Sequence, residues 1–212
     1  MIDQEKFYEA LSAGKMDEVR YLTQKALDGG ESAEKILKEG LIKAMDQIGV
    51  RFKDNEIYIP EVLIAARAMH AGLAVLKPML AASPTSSATK IVLGTVKGDL
   101  HDIGKNLVGM MLEGGGFEVV DIGIDAPSEK FIQAGKEHGA KVIGMSALLT
   151  TTMMQMKATV EMIKEAGLGD EVKILVGGAP VTAEFAKQIG ADGYAADAAS
   201  AVSKVKELLG MV

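Results

Sequence analysis

The sequence has no cysteine, no tryptophan and only three histidines in 212 residues. Without a thiol it can form no disulfide, no iron–sulfur cluster and no thiolate zinc site. Three imidazoles argue against a multi-histidine metal centre. Aromatic residues are scarce, at 4%. Nothing in Met1-Ile2-Asp3-Gln4-Glu5-Lys6 resembles the apolar core of a signal peptide, and no unbroken apolar run reaches membrane-spanning length. A cytoplasmic protein is the expectation. Excess positive charge is also missing. The formal net charge of −6 argues against a general nucleic-acid or membrane-surface binder.

What is present suits a packed protein. Apolar residues make up 48% of the chain, ample for a core. Up to about residue 80 every periodicity is helical. Phe7 and Leu11 mark a short first helix that Gly14 ends. Val19, Leu22 and Ala26 line a second, stopped by Gly29-Gly30. Ser32 suits the cap of a third, with Leu37, Leu41, Met45, Ile48 and Phe52 down one side. Pro60 suits the first turn of a fourth, which runs to about Leu80 and is apolar nearly all round. Four helices with short links read as an up-and-down bundle.

Ala81-Ala82-Ser83-Pro84-Thr85-Ser86-Ser87-Ala88-Thr89 is small, polar and proline-bearing. The domain division expected is 1–82 for the helical domain, 83–89 for a linker and 90–212 for the second domain. In that second domain strands are expected at about 90–96, 117–122, 141–146, 172–176 and 193–195, alternating with helices at about 104–114, 128–138, 152–166, 182–189 and 198–209. Such alternation means right-handed βαβ units, a parallel five-stranded sheet and helices on both faces, a Rossmann-like or flavodoxin-like layer. The fold class is therefore a helical bundle followed by an α/β domain.

Lys97-Gly98-Asp99-Leu100-His101-Asp102-Ile103-Gly104-Lys105-Asn106 follows the first strand and opens onto a helix. Loops at the carboxyl ends of strands are where ligands sit in such sheets. This one is not a phosphate loop, since five residues separate its glycines and Asn106 replaces the magnesium-binding hydroxyl. No G-x-G-x-x-G follows the first strand, so Asp121 reads as a loop residue. Ser146 stands where a phosphoacceptor domain would carry its aspartate. What remains is one imidazole, His101, with Asp99 two residues before it and glycines that admit a large flat ligand. A carboxylate on one ring nitrogen makes the other a better metal ligand. One such ligand cannot hold a free metal ion tightly, but it can fill an axial position of a metal already held in a macrocycle. His70 reads as packed among helices and His138 as a surface residue.

Asp99-Leu100-His101-Asp102-Ile103-Gly104 matches the D-x-H-x-x-G motif of cobalamin-binding domains. Ser146-Ala147-Leu148 and Gly177-Gly178 match that family's S-x-L and G-G motifs, in order and each at a strand end. The chain resembles this family over almost its whole length. It is most similar to the free-standing corrinoid proteins of methanol, methylamine and methoxyaromatic methyltransferase systems, and it also resembles the cobalamin module of methionine synthase. The helical domain looks like their cap.

The resemblance implies a bound cobalamin or related corrinoid, base-off and histidine-on. His101 would be the lower axial ligand of cobalt, replacing the cofactor's dimethylbenzimidazole. Asp99, His101 and Thr152 would form a catalytic relay, Thr152 standing where methionine synthase has serine. Gly98, Asp102 and Ile103 would be cofactor-binding, and Gly104 would leave room beside the displaced tail. Ser146, Leu148 and Thr150 would contact the displaced tail, and Gly177, Gly178 and Ala179 would line its slot. Tyr194, Ala196 and Asp197 would border that pocket, and Phe52 and Ile59 would cover the methyl face from the cap. For those last two, ordinary bundle core is the competing reading.

The implied work is methyl carriage. A substrate-specific methyltransferase supplies the methyl group, and a second methyltransferase passes it to tetrahydrofolate or a thiol such as coenzyme M. A reductive activase completes the set, with no nucleic acid and no membrane involved. The chain would then be a component of a multi-protein methyltransferase rather than a whole enzyme, with the 81–89 stretch as the hinge that lets the cap move. A cobalamin-dependent sensor, a cobalamin storage or delivery protein and the small subunit of a radical isomerase are the alternatives. The first of these keeps a cap tryptophan and a DNA-binding domain in its light-sensing members, and this sequence has no tryptophan.

Overall fold

The computed structural model describes residues 2–82 and 88–211. Most of the expected linker, residues 83–87, lies outside the described residues. The chain divides into two compact units, Met1–Ala88 with Glu113–Gly116, and Thr89–Leu112 with Phe117–Val212.

The first unit has four helices in chain order. They are α1 (Gln4–Ser12), α2 (Met16–Asp28), α3 and α4 (Ile59–Ala82). Asp3 caps α1 by accepting the Lys6 N–H, and Ser32 caps α3 by accepting the Lys35 N–H. Helix α3 runs through Ala33–Lys35, a π-helical stretch Ile36–Ile42 and Lys43–Lys53. That stretch re-phases the helix, since each π turn takes up an extra residue. Ile36 is therefore buried and Leu37 only half-buried, where plain α periodicity puts Leu37 on the core face. Gly40 sits in the π stretch because a Cβ there would meet the Phe7 ring at 3.2 Å. Phe7, Leu11, Ile36, Leu41, Ile48, Met69 and Leu76 are fully buried, each contributing about 1.5–3 kcal/mol relative to exposure.

Helix α4 is strongly apolar although Glu61, Arg67 and Lys77 interrupt it. Its Ile59–Leu80 segment is long and apolar enough to cross a bilayer. In the protein it is the central rod of the bundle, with Val62, Ala65, Ala66, Ala68, Met69 and Leu76 buried. Gly72 lets α4 come close to its neighbours, since a Cβ there would lie 2.9 Å from Leu41 and 3.0 Å from Val19. His70 is exposed rather than packed, and its Nε2 meets Glu113 at 3.0 Å.

The second unit alternates strand and helix as the sequence leads one to expect. It contains β1 (Lys90–Thr95), α5 (Ile103–Gly114), β2 (Glu118–Asp121), α6 (Ser128–His138) and β3 (Val142–Ser146). These are followed by α7 (Met153–Glu165), β4 (Lys173–Gly177), α8 (Ala183–Ile189), β5 (Gly193–Ala195) and α9 (Ala198–Leu208). All strand pairs are parallel, in the order β2-β1-β3-β4-β5. The central strands β1, β3 and β4 are apolar on both faces, as a sheet covered on both sides requires. Chain direction across the sheet reverses between β1 and β3. Thr95 pairs with Ser146, and Ser146 pairs with Gly177, so the three motif-bearing strand ends lie side by side. That is the topological switch point, where the sheet edge opens a crevice.

Candidate corrinoid site

The 97–102 loop leaves β1 through Gly98, at φ +82°, a left-handed turn that favours glycine. The turn points Asp99 inward and His101 outward. Asp99 is fully buried, yet both carboxylate oxygens are satisfied. Oδ1 lies 2.7 Å from His101 Nδ1 and also accepts the His101 N–H at 3.1 Å. Oδ2 accepts the Leu148 N–H at 2.7 Å, the Leu149 N–H at 3.2 Å and the Thr152 hydroxyl at 2.8 Å. Burial alone would raise the Asp99 pKa. The bonds from Leu148, His101 and Thr152 outweigh it and hold the carboxyl well below the usual carboxylate range. Asp99 is therefore ionised and acts only as an acceptor. It follows that the proton between Asp99 and His101 belongs to Nδ1, so the tautomer this pairing selects has its lone pair on Nε2.

Among the described residues nothing hydrogen-bonds Nε2, and the His101 side chain is half exposed. On the two loops that meet at Asp99 and at the start of α5, large apolar side chains face water. Ile103 is 77% exposed, Leu100 68%, Leu148 42% and Leu149 41%. Gly104 opens the first turn of α5, where a Cβ would meet nothing within 4 Å. An open imidazole nitrogen with an apolar rim and a gap beside it fits one axial bond to a flat macrocycle. No cluster of three or more His, Cys, Asp or Glu residues capable of holding a bare metal ion occurs among the described residues.

Asp99 thus contacts both His101 and Thr152. The Thr152 hydroxyl also lies 2.9 Å from the Leu149 carbonyl. Its single proton goes to the ionised Asp99, the stronger acceptor. Leu148 does more than offer a side chain, because its backbone N–H holds the carboxylate. Sequence reading missed that contact, as it missed the Leu149 N–H and the Thr95 hydroxyl that donates to the His101 carbonyl at 2.8 Å. Backbone donors leave no mark on residue type.

Other expected site residues sit near the same sheet edge with roles of their own. Ser146 is half-buried at the end of β3, and Thr150 is exposed in the loop after it. Gly178, at φ +125°, could not be anything else, since a Cβ would lie 1.9 Å from the Ala147 carbonyl oxygen. At Gly177 a Cβ would lie 2.8 Å from the Ala195 oxygen. These glycines are demanded by the chain's own close packing, whatever occupies the neighbouring slot. Ala179 is exposed, Tyr194 is half-buried against the sheet core and Ala196 is exposed. Asp197 caps α9 in a reciprocal box with Ser200, at 2.7 and 3.1 Å. Asp102 is exposed and accepts the Asn106 amide at 3.1 Å. In the helical unit Phe52 is half-buried near the end of α3 and Ile59, at the start of α4, is 43% exposed.

The chain matches two family models, both described as a B12 binding domain, one over residues 89–203 and one over residues 3–77. The dimethylamine corrinoid protein of Methanosarcina barkeri is 46% identical over 202 residues, covering 95% of this chain and 94% of its own. A cobalamin-binding protein from Desulfitobacterium hafniense DCB-2 superimposes with a TM-score of 0.82 at 32% identity, over 98% of this chain and 99% of the other. The methanol:cobalamin methyltransferase complex MtaBC from Methanosarcina barkeri gives a TM-score of 0.84 at 28% identity, over 98% of this chain and 79% of that one.

Proposed function

The chain belongs to the B12-binding corrinoid proteins of methyltransferase systems, carriers of methyl groups on a bound corrinoid, and from that premise we propose its ligation, donor and acceptor. His101 would hold the cobalt of the corrinoid through Nε2, in place of the cofactor's own base. The observation that carries this reading is the pairing of Asp99 with His101 Nδ1, which leaves Nε2 open on an apolar rim. When bound, the corrinoid supplies a cobalt that accepts and surrenders a methyl group.

The protein's part is to hold, orient and shield. Asp99 fixes the imidazole tautomer and its orientation. Leu148, Leu149 and Thr152 hold Asp99 in turn, so the imidazole plane is set by the loop after β3 as well as by its own loop. Asp99 would keep its hold on His101 Nδ1 whether or not the cofactor's metal is bound, so the imidazole stays in position. Leu100, Ile103, Leu148 and Leu149 would offer a bound corrinoid an apolar bed and exclude water from it.

The donor proposed is a methylamine, because the dimethylamine corrinoid protein of Methanosarcina barkeri is similar over nearly all of both chains. A substrate-specific methyltransferase presents it, a second methyltransferase passes the methyl to tetrahydrofolate or a thiol, and a reductive activase restores inactive cobalt. The compartment proposed is the cytoplasm. The test uses the whole chain loaded with hydroxocobalamin, reduced, and mixed with a dimethylamine methyltransferase and dimethylamine. Release of monomethylamine together with a change in the corrinoid spectrum supports the carrier reading. A protein that binds hydroxocobalamin stoichiometrically but gives no demethylation with dimethylamine, monomethylamine or methanol systems is a storage protein instead.

A further inference from the structure

Two charged residues outside the relay remain to be explained. Lys105 lies in the first turn of α5, where the helix dipole disfavours a cation. Its side chain is also only 2% exposed, which disfavours it again. Such a placement persists only if the ammonium is gripped. Its Nζ pairs with Asp121 at the end of β2 and donates to Asn106 Oδ1 at 2.7 Å. Asp121 in turn accepts the Gly123 N–H at 2.8 Å, tying the chain between β2 and α6 to the same point.

The second residue is Asp125, in that connecting stretch. It has φ +49°, a left-handed conformation uncommon outside glycine, asparagine and aspartate. Its carboxylate accepts the Gly98 N–H at 2.7 Å. Its own N–H donates to the Asp99 carbonyl at 3.0 Å. Asp125 therefore grips the backbone on both sides of the peptide that leads into Asp99. Nearby, the Thr95 N–H donates to the Gly123 carbonyl at 2.9 Å and the Ala126 N–H to the Thr95 carbonyl at 2.9 Å.

We infer that Lys105 and Asp125 are positioning residues for His101. The 121–126 segment is a back-plate for the His101 loop, fastened to the loop's front by Asp125 and to the helix after it by Lys105. This rests on the reading of His101 as the axial ligand. A loop held at both ends to one plate keeps the Asp99–His101 pair in a single orientation before any corrinoid arrives, which lowers the ordering cost of binding.

The test compares wild type with Asp125→Gly, Asp125→Asn and Lys105→Met. Glycine removes the Asp125 acceptor without backbone strain at positive φ, and asparagine keeps the acceptor and tolerates that conformation. Methionine fills the lysine's space, and the half-exposed Asp121 can then turn to water. The probe is hydroxocobalamin, with affinity from absorbance titration. The fraction with a histidine nitrogen on cobalt is read from the electron paramagnetic resonance spectrum after reduction to cobalt(II). The expected result is about tenfold weaker binding and a lower histidine-ligated fraction in Asp125→Gly and Lys105→Met, the lower end of what losing an outer partner of a metal ligand costs. Asp125→Asn should restore both. If Lys105→Met fails to fold, the Asp125 pair decides. Wild-type binding with histidine ligation, unchanged in Asp125→Gly, overturns this inference alone. Wild-type protein that binds no hydroxocobalamin, or binds it without histidine, overturns the axial-ligand reading and this inference with it.

Discussion

Asp99 Oδ1 lies 2.7 Å from His101 Nδ1, while the other oxygen of the same buried carboxylate takes two backbone N–H groups and the Thr152 hydroxyl. One side chain thus ties the loop after β1 to the loop after β3, across the point where the sheet reverses direction. The imidazole is the part of this assembly that faces outward.

Asp99 makes stability depend on pH in a definite direction. Its folded pKa is depressed, so as pH falls the unfolded chain binds a proton first, near the ordinary carboxyl value of about 4. The stabilisation is fully present above that value and is lost as pH falls toward the folded one. Urea midpoints of the corrinoid-free protein should drop more steeply below about pH 4 in wild type than in Asp99→Asn. Parallel profiles would show that the carboxylate contributes nothing to folding.

Thr152 offers a cleaner separation of chemistry from packing. Thr152→Ser keeps the hydroxyl and should leave hydroxocobalamin affinity near wild type. Thr152→Val keeps the shape and deprives a buried carboxylate of one of its donors, a loss of about 1.5–3 kcal/mol for a bond to a charged group. The valine variant should melt lower and bind hydroxocobalamin more weakly. Equal behaviour of the two variants would remove Thr152 from the relay.

Two glycines should respond in opposite ways. Gly178→Ala places a Cβ at 1.9 Å from the Ala147 oxygen at a positive φ, and should cost the corrinoid-free protein about 3 kcal/mol or more. Gly104→Ala meets nothing within 4 Å and adds a better helix former, so apo stability should hold or rise by up to about 1 kcal/mol. Its effect should appear only when hydroxocobalamin is titrated in, as weaker binding. Denaturation and titration of both variants check the contrast, and a stable, tight-binding Gly178→Ala would contradict it.

The sequence carried the arrangement of loops more fully than the arrangement of bonds. Strand ends can be read from short apolar runs, so the three motifs could be placed at β1, β3 and β4 before their pairing was seen. Asp121 is the instructive miss. Without a glycine fingerprint it reads as a loop residue, and only the fold brings it to Lys105, sixteen positions away. The π-helical stretch at Ile36–Ile42 was hidden for a different reason. Helical periodicity is counted at 3.6 residues per turn, and one wider turn shifts every position before it on the core face. Gly178 was legible as a required glycine, although the requirement comes from the Ala147 carbonyl.

The central claim is axial ligation by His101. Its most direct test is the anaerobic absorbance spectrum of the protein reconstituted with methylcobalamin, recorded beside His101→Ala. Wild type should bind stoichiometrically with a histidine-ligated spectrum, and the variant should give a base-off spectrum with no nitrogen ligand. Identical spectra for the two proteins, or no binding by wild type, would contradict it.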